Sequence, residues 1–159
     1  MVKKLTYYKN FNIKKNHQKS IILIGNFDGV HLGHQKLFDS AKKHKKKENL
    51  KIGVVTFDPI PKMFFNKKLK NYRISNLNQK LNIFKKFNVD FVINKKFDKK
   101  FSKIKCTKFI SEIIHKKLNA KLIFVSNNFK FGNKREGNVR ELIKHETQYN
   151  YRIIKPQPS

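Results

Sequence analysis

An apolar run, Ser20-Ile21-Ile22-Leu23-Ile24, leads directly into Gly25-Asn26-Phe27-Asp28-Gly29-Val30-His31-Leu32-Gly33-His34. No other passage restricts the fold as much. The run reads as a strand over 20–25, the glycines mark a loop, and the amphipathic stretch after them reads as a helix over 33–47. A strand, a Gly-rich loop and a helix in that order is how α/β proteins hold phosphates, because the first helical amides and the helix dipole face the anion. Two imidazoles join this cradle. At a helix start, positions i and i+3 share one face, so His31 and His34 can address the same anion. Two ordinary surface histidines beside a turn are the competing reading of H-x-G-H; the strand before and the helix after argue against it.

The rest of the chain alternates in the same way. Ile52, Val54, Val55 and Phe57 give a second buried strand over 51–57, and Pro59 and Pro61 give it a rigid exit. Ser75 is placed to cap a helix over 76–87, with Leu77, Leu81 and Phe84 on one face. A short strand is expected over 90–94, and a helix over 108–118 with Thr107 as its cap and Phe109, Ile110, Ile113 and Ile114 in helical period. A strand over 122–125, a loop over 126–138, a helix over 139–146 and a last strand over 151–154 complete the chain. Such alternation predicts one α/β domain spanning 1–159, built on a doubly wound parallel sheet. Ligands of such sheets lie beyond the carboxyl ends of the strands. The loops 25–34, 58–61 and 126–138 each follow a strand and should meet at that edge.

These three loops carry a resemblance. The first resembles the signature of the H-x-G-H nucleotidyltransferase superfamily, and more narrowly the FMN adenylyltransferase domain of bacterial FAD synthetases, which opens on G-[NF]-F-D-G-V-H-x-G-H. Thr56-Phe57-Asp58-Pro59-Ile60-Pro61 resembles that family's T-F-[ED]-P-H-P. Ser126-Asn127-Asn128-Phe129-Lys130-Phe131-Gly132, with Gly137 five residues on, resembles its G-x-[DN]-F-x-F-G-x-x-x-x-G. Together they cover roughly residues 18 to 155.

The resemblance implies a Rossmann-like fold and transfer of an adenylyl group from MgATP to FMN, giving FAD and pyrophosphate. The FMN phosphate is already ionised near neutral pH, so alignment and charge neutralisation matter more than a general base. It implies His31 and His34 as the catalytic donors to phosphate oxygens. It places Gly25, Asn26, Phe27, Gly33, Asn128, Gly132 and Arg135 around ATP, and Asp28, Phe57 and Pro59 toward the flavin. Mg²⁺ would arrive on the ATP phosphates, and no protein metal ligand is assigned. Asp28 serves equally as an Asx-turn residue shaping its loop. Phe57 fits the core as well as a ring-stacking role, and Phe129 and Phe131 fit as anchors of their loop. Lys134 and Arg135 read either as phosphate contacts or as a solvated basic loop.

The chain also departs from the family pattern. Ile60 stands where the family has His, Ser126 where it has Gly, and Asn128 where it often has Asp. A further S-S-T-x-I-R segment and a riboflavin kinase domain, which follow in family members, do not occur in these 159 residues. A fragment, a truncated product or a degenerate relative is therefore expected. Nucleotide binding should be retained, with weak or absent turnover.

Thirty-eight Lys and Arg against ten Asp and Glu give a net charge of +28. The lysines are spread in pairs along the chain rather than gathered into one stripe. The spread predicts weak, non-specific, salt-sensitive polyanion binding and a field that favours anionic substrates such as ATP and FMN. The single Cys106 excludes an internal disulfide. No apolar run approaches the roughly 20 residues that span a bilayer, and the N-terminus has no apolar signal region, so a cytoplasmic address without membrane contact is expected. Two rival functions remain at this stage. One is another H-x-G-H nucleotidyltransferase acting by cytidylyl or pantetheine-phosphate adenylyl transfer, against which F-D-G-V-H and N-F-x-F-G argue. The other is a non-catalytic basic module that binds nucleotide or RNA.

Overall fold

β-Branched and aromatic runs that are apolar on both faces must be covered on both faces, and a parallel sheet between two helical layers does this. The computed structural model describes residues 4–27, 32–66, 77–126 and 129–154. Its main sheet holds β1 (Thr6–Tyr8), β2 (Ile21–Ile24), β3 (Ile52–Asp58), β4 (Phe91–Lys96), β5 (Leu122–Phe124) and β8 (Arg152–Ile154). The strand order is β1-β4-β3-β2-β5-β8, with every pairing parallel. The chain thus runs outward from β2 through β3 to β4, then returns to place β5 on β2's other side. The switch point lies at β2, and the carboxyl ends of β2, β3 and β5 are neighbours.

Alternation along the strands divides the core. Ile22, Ile24, Val55, Phe91, Ile93 and Ile123 face one layer, which contains Ile110, Ile113 and Ile114. Ile21, Leu23, Val54, Val92 and Phe124 face the other, which contains Phe38 and Ala41 of α1 (Leu32–Glu48) and Phe84 of α3 (Leu77–Lys86). Gly53 makes room for a ring: a Cβ there would lie 2.1 Å from the Phe91 ring.

Several elements differ from the expectations. β1 is a three-residue edge strand, too short to show a period. Pro61 does not merely end a strand; it opens the short helix α2 (Pro61–Phe65), where its missing N–H costs nothing. Helix α4 (Lys99–Ser102) is set by Asp98, whose Oδ1 accepts the Phe101 N–H at 2.8 Å. The helix expected from Lys108 starts earlier, as α5 (Cys106–Lys108), and continues into a wider-wound turn over Phe109–Lys117, where the Leu118 N–H reaches the Ile113 carbonyl at 2.9 Å. Thr107 is not its cap. Glu136, far along the chain, accepts the Cys106 N–H at 3.0 Å instead. The loop 126–138 contains a small hairpin, β6 (Lys130–Phe131) against β7 (Gly137–Asn138). The helix expected over 139–146 breaks at His145 into α6 (Val139–Lys144) and α7 (Glu146–Tyr149), and α6 is capped by Asn138, whose Oδ1 accepts the Glu141 N–H at 3.0 Å. Ser75 lies outside the described residues.

Candidate active site

The first loop leaves β2 while still hydrogen-bonded to β3: the Gly25 N–H reaches the Val55 carbonyl at 3.1 Å. One residue later the Asn26 carbonyl turns toward β3 and α3. It accepts the Thr56 hydroxyl at 3.2 Å and the Lys80 ammonium at 2.7 Å. Phe27 then adopts a left-handed backbone, with φ of 50°. For a residue with a Cβ this conformation costs on the order of 1–3 kcal/mol, which burial of the ring offsets. The Phe27 ring is 3% exposed and lies between Phe38 (5.5 Å) and Phe84 (5.9 Å). It also covers Gly25, where a Cβ would come within 3.3 Å of it.

His34 sits in the first turn of α1, half-buried, with its ring edge-on to Phe27 at 5.4 Å. Phe27 therefore holds the imidazole beside the helix N-terminus. Gly33 lies in the same turn. Gly25, Asn26, Phe27, Gly33 and His34 come together here. Asp28 and His31 lie outside the described residues.

The second loop follows β3. Asp58 is joined to Pro59 by a cis bond, and the Asp58 carbonyl accepts the Phe97 N–H at 3.0 Å. Pro59 is half-buried at this edge. Phe57 is packed inside, 5.9 Å from Phe97 and 5.7 Å from Phe101, so the structure gives its ring a core position. Ile60, standing where the resembling family has His, is 2% exposed and gives the site no polar group. Phe65 is the opposite case. It is 58% exposed and forms an aromatic cluster with Phe64 and Phe97.

The third loop follows β5. Asn128 lies outside the described residues. Phe129 stacks on Phe131 at 5.5 Å, and Phe131 is buried against Phe109 at 5.0 Å, the anchoring the sequence suggested. Gly132 has φ of 82°, and a Cβ there would lie 2.9 Å from the Cys106 backbone, so only glycine fits both the turn and the contact. Lys134 and Arg135 are exposed, with left-handed backbones on the hairpin turn.

Lys80 is a site residue that the sequence reading passed over. It is 4% exposed, yet it carries an ammonium. The signal was legible: Lys80 lies on the same helical face as Leu77, Leu81 and Phe84, and a lysine inside an apolar stripe needs a partner. With the Asn26 carbonyl committed to Lys80 and Thr56, planarity of the peptide turns the Phe27 N–H the other way. Replacing Lys80 with Met should leave that half-buried carbonyl short of its charged donor. A loss of about 1.5–3 kcal/mol in denaturant unfolding is expected, with part recovered in Lys80→Arg. Among the described residues no group of three or more His, Cys, Asp or Glu is placed to hold a metal ion.

Comparison with known proteins decides the family. Residues 13–158 match the family model described as FAD synthetase. This chain belongs to the FAD synthetase family. It is 39% identical over 143 residues to the bifunctional riboflavin kinase/FMN adenylyltransferase of Buchnera aphidicola subsp. Schizaphis graminum, covering 90% of this chain and 46% of that protein. It is 34% identical over 147 residues to the protein of the same name from Escherichia coli K12, covering 92% and 47%. This FAD synthetase family member thus spans about half the length of the curated relatives it matches. Among solved structures, a Streptococcus pneumoniae chain described as a macrolide-efflux protein superposes with a TM-score of 0.76 at 26% identity, over 95% of this chain and 49% of that one. A Francisella tularensis pantoate-beta-alanine ligase superposes with a TM-score of 0.60 at 16% identity, over 98% and 69%, a likeness of fold alone.

Proposed function

We propose that this chain binds MgATP and FMN at the carboxyl edge of its sheet and transfers the adenylyl group to FMN. A phosphate oxygen of FMN bonds to the α-phosphorus, the bond from that phosphorus to the bridging oxygen breaks, and pyrophosphate leaves with the electron pair. The observation that carries this reading is the placement of His34 in the first turn of α1, braced by Phe27, beside the glycine loop of the family motif.

The roles follow from position. A ring N–H of His34 and the amides opening α1 donate to phosphate oxygens as charge moves onto the leaving group. Lys80 acts as a positioning residue, fixing the Asn26 peptide and through it the loop. His31, Asp28 and Asn128 are assigned here by motif alone. Arg135 sits on an exposed turn, from which its long side chain reaches toward phosphates. Phe57 supports the second loop from the core, while Pro59 and the exposed Phe65 offer apolar faces for the isoalloxazine ring. Mg²⁺ would neutralise the phosphates it arrives on; Asp58 and Asp28 are carboxylates that the first two motif loops carry for water-mediated contact. No helix among the described residues is long and apolar enough to cross a membrane, consistent with a cytoplasmic enzyme acting on soluble nucleotides.

The test is to incubate the chain with FMN and MgATP and follow FAD and pyrophosphate by chromatography. Equal amounts of both products are expected, at whatever rate. Adenylyl transfer to pantetheine phosphate, or cytidylyl transfer from CTP, with none to FMN, would reassign the acceptor.

A further inference from the structure

At the opposite, amino-terminal edge of the sheet lies a cleft of about 510 Å³, inside the size range of small-molecule sites. Thr6 begins β1, and Lys51 and Asp90 stand just before β3 and β4. Lys45 comes from the end of α1, and Lys4 and His17 line the cleft from the N-terminal segment.

The polar groups in it are sorted. Asp90 is spent on the wall: its Oδ2 accepts the Lys45 ammonium at 2.9 Å and the Ile52 N–H at 2.8 Å. Lys45 also donates to the Asn88 carbonyl at 3.0 Å. Lys4 and Lys51 pair with no carboxylate among the described residues. The orientation of His17 is fixed. Its ring stacks on Phe91 at 4.5 Å, and its Nδ1 is 2.7 Å from the Tyr8 hydroxyl. That hydroxyl oxygen also accepts the Lys14 N–H at 3.2 Å. With the Tyr8 hydroxyl as the donor to Nδ1, the neutral ring carries its proton on Nε2. Burial, with the charge of Lys51 beside it, holds the His17 pKa below its ordinary value and keeps the ring in that neutral form.

We propose that this cleft is a second anion site, which takes a small phosphate-bearing molecule between Lys4 and Lys51, with His17 Nε2–H and the Thr6 hydroxyl as further donors. Two ammoniums with no acidic partner favour a multiply charged anion, and fixed neutral donors favour one with several acceptor oxygens. Concavity selects a small ligand over an extended polyanion. This site lies away from the motif loops, and it stands whether or not the chain transfers adenylyl groups.

The test is a titration of the ¹⁵N-labelled chain with inorganic pyrophosphate, at ionic strength held constant with chloride. Saturable shifts are expected at the amides of Thr6, Lys51 and Asp90, with those of Gly25 and His34 reporting the motif loops separately. Binding at the cleft should weaken at least about tenfold in a Lys4→Gln/Lys51→Gln variant and persist in Lys51→Arg, which keeps the charge. Remote amide peaks show that each variant is folded. Absence of saturation, or undiminished binding in the double glutamine variant, would overturn the assignment. So would tighter binding of a single-stranded RNA at equal phosphate concentration, which would make the surface a nucleic-acid contact.

Discussion

In a full-length or complemented enzyme that carries this domain, His34→Ala should lower the rate of FAD formation by about 10²–10³-fold, the effect of losing one donor aimed at charge that develops in the transition state. Its position sets the size of the effect. The imidazole stands in the first turn of a 17-residue helix, where the backbone N–H groups and dipole of a helix start favour an anion, and Phe27 restricts its ring. ATP affinity should fall far less, because the remaining amides and the helix dipole hold the ground-state phosphates as before. The variant should therefore lose kcat with little change in KM. His34→Gln, which keeps an N–H of similar reach, should recover part of the rate. Steady-state kinetics with FMN and MgATP check this. A His34→Ala rate within about threefold of the parent would remove His34 from the mechanism.

Phe91→Ala should cost about 3–5 kcal/mol of stability, the usual range for truncating a buried aromatic ring. Phe91 is fully buried in β4, with Tyr8 edge-on at 6.0 Å and the His17 ring stacked on it. Gly53 on β3 leaves the space that the ring fills. The two positions are therefore coupled. In the parent, Gly53→Ala forces a methyl group into the ring and should destabilise by about 1–3 kcal/mol. In a Phe91→Ala background the same methyl enters the cavity left behind, and Gly53→Ala should be neutral or stabilising. Urea unfolding of the four proteins of this cycle measures the coupling. A loss under about 1 kcal/mol for Phe91→Ala would mean that the strand pair does not depend on this contact.

The sheet was legible because its strands are apolar on both faces and carry β-branched residues, as in Ile21–Ile24 and Ile52–Asp58. The meeting of the motif loops at the carboxyl edge followed from each of them coming after a strand. What the sequence hid was short or held from a distance. Thr6–Tyr8 is too brief to show a period, and the turn of α2 begins on a proline that reads as a breaker. Thr107 looked like a cap because local rules favour Thr there, but a carboxylate from another segment took the role. At the site, the glycine loop and His34 were legible from spacing. Phe57 could stack on a ring, but a Phe at a strand end reads more readily as core; the aromatic neighbours that place it inside, Phe97 and Phe101, are distant in sequence. Lys80 is marked as needing a partner by its place in an apolar stripe, but that the partner is the Asn26 main-chain carbonyl is something no side-chain pattern reveals.

The capping of α5 by Glu136 bears on the order in which the chain assembles. Donor and acceptor are 30 residues apart, so this cap cannot form along with the first helical turn, as the local caps of α4 and α6 can. The chain must first lay down β5 and bring the β6–β7 turn back, paying loop-closure entropy before the N–H is satisfied. A helical turn forms from neighbours alone, whereas this contact waits on non-local structure. Protection of the Cys106 amide is therefore expected to report that the β6–β7 turn has reached its native place.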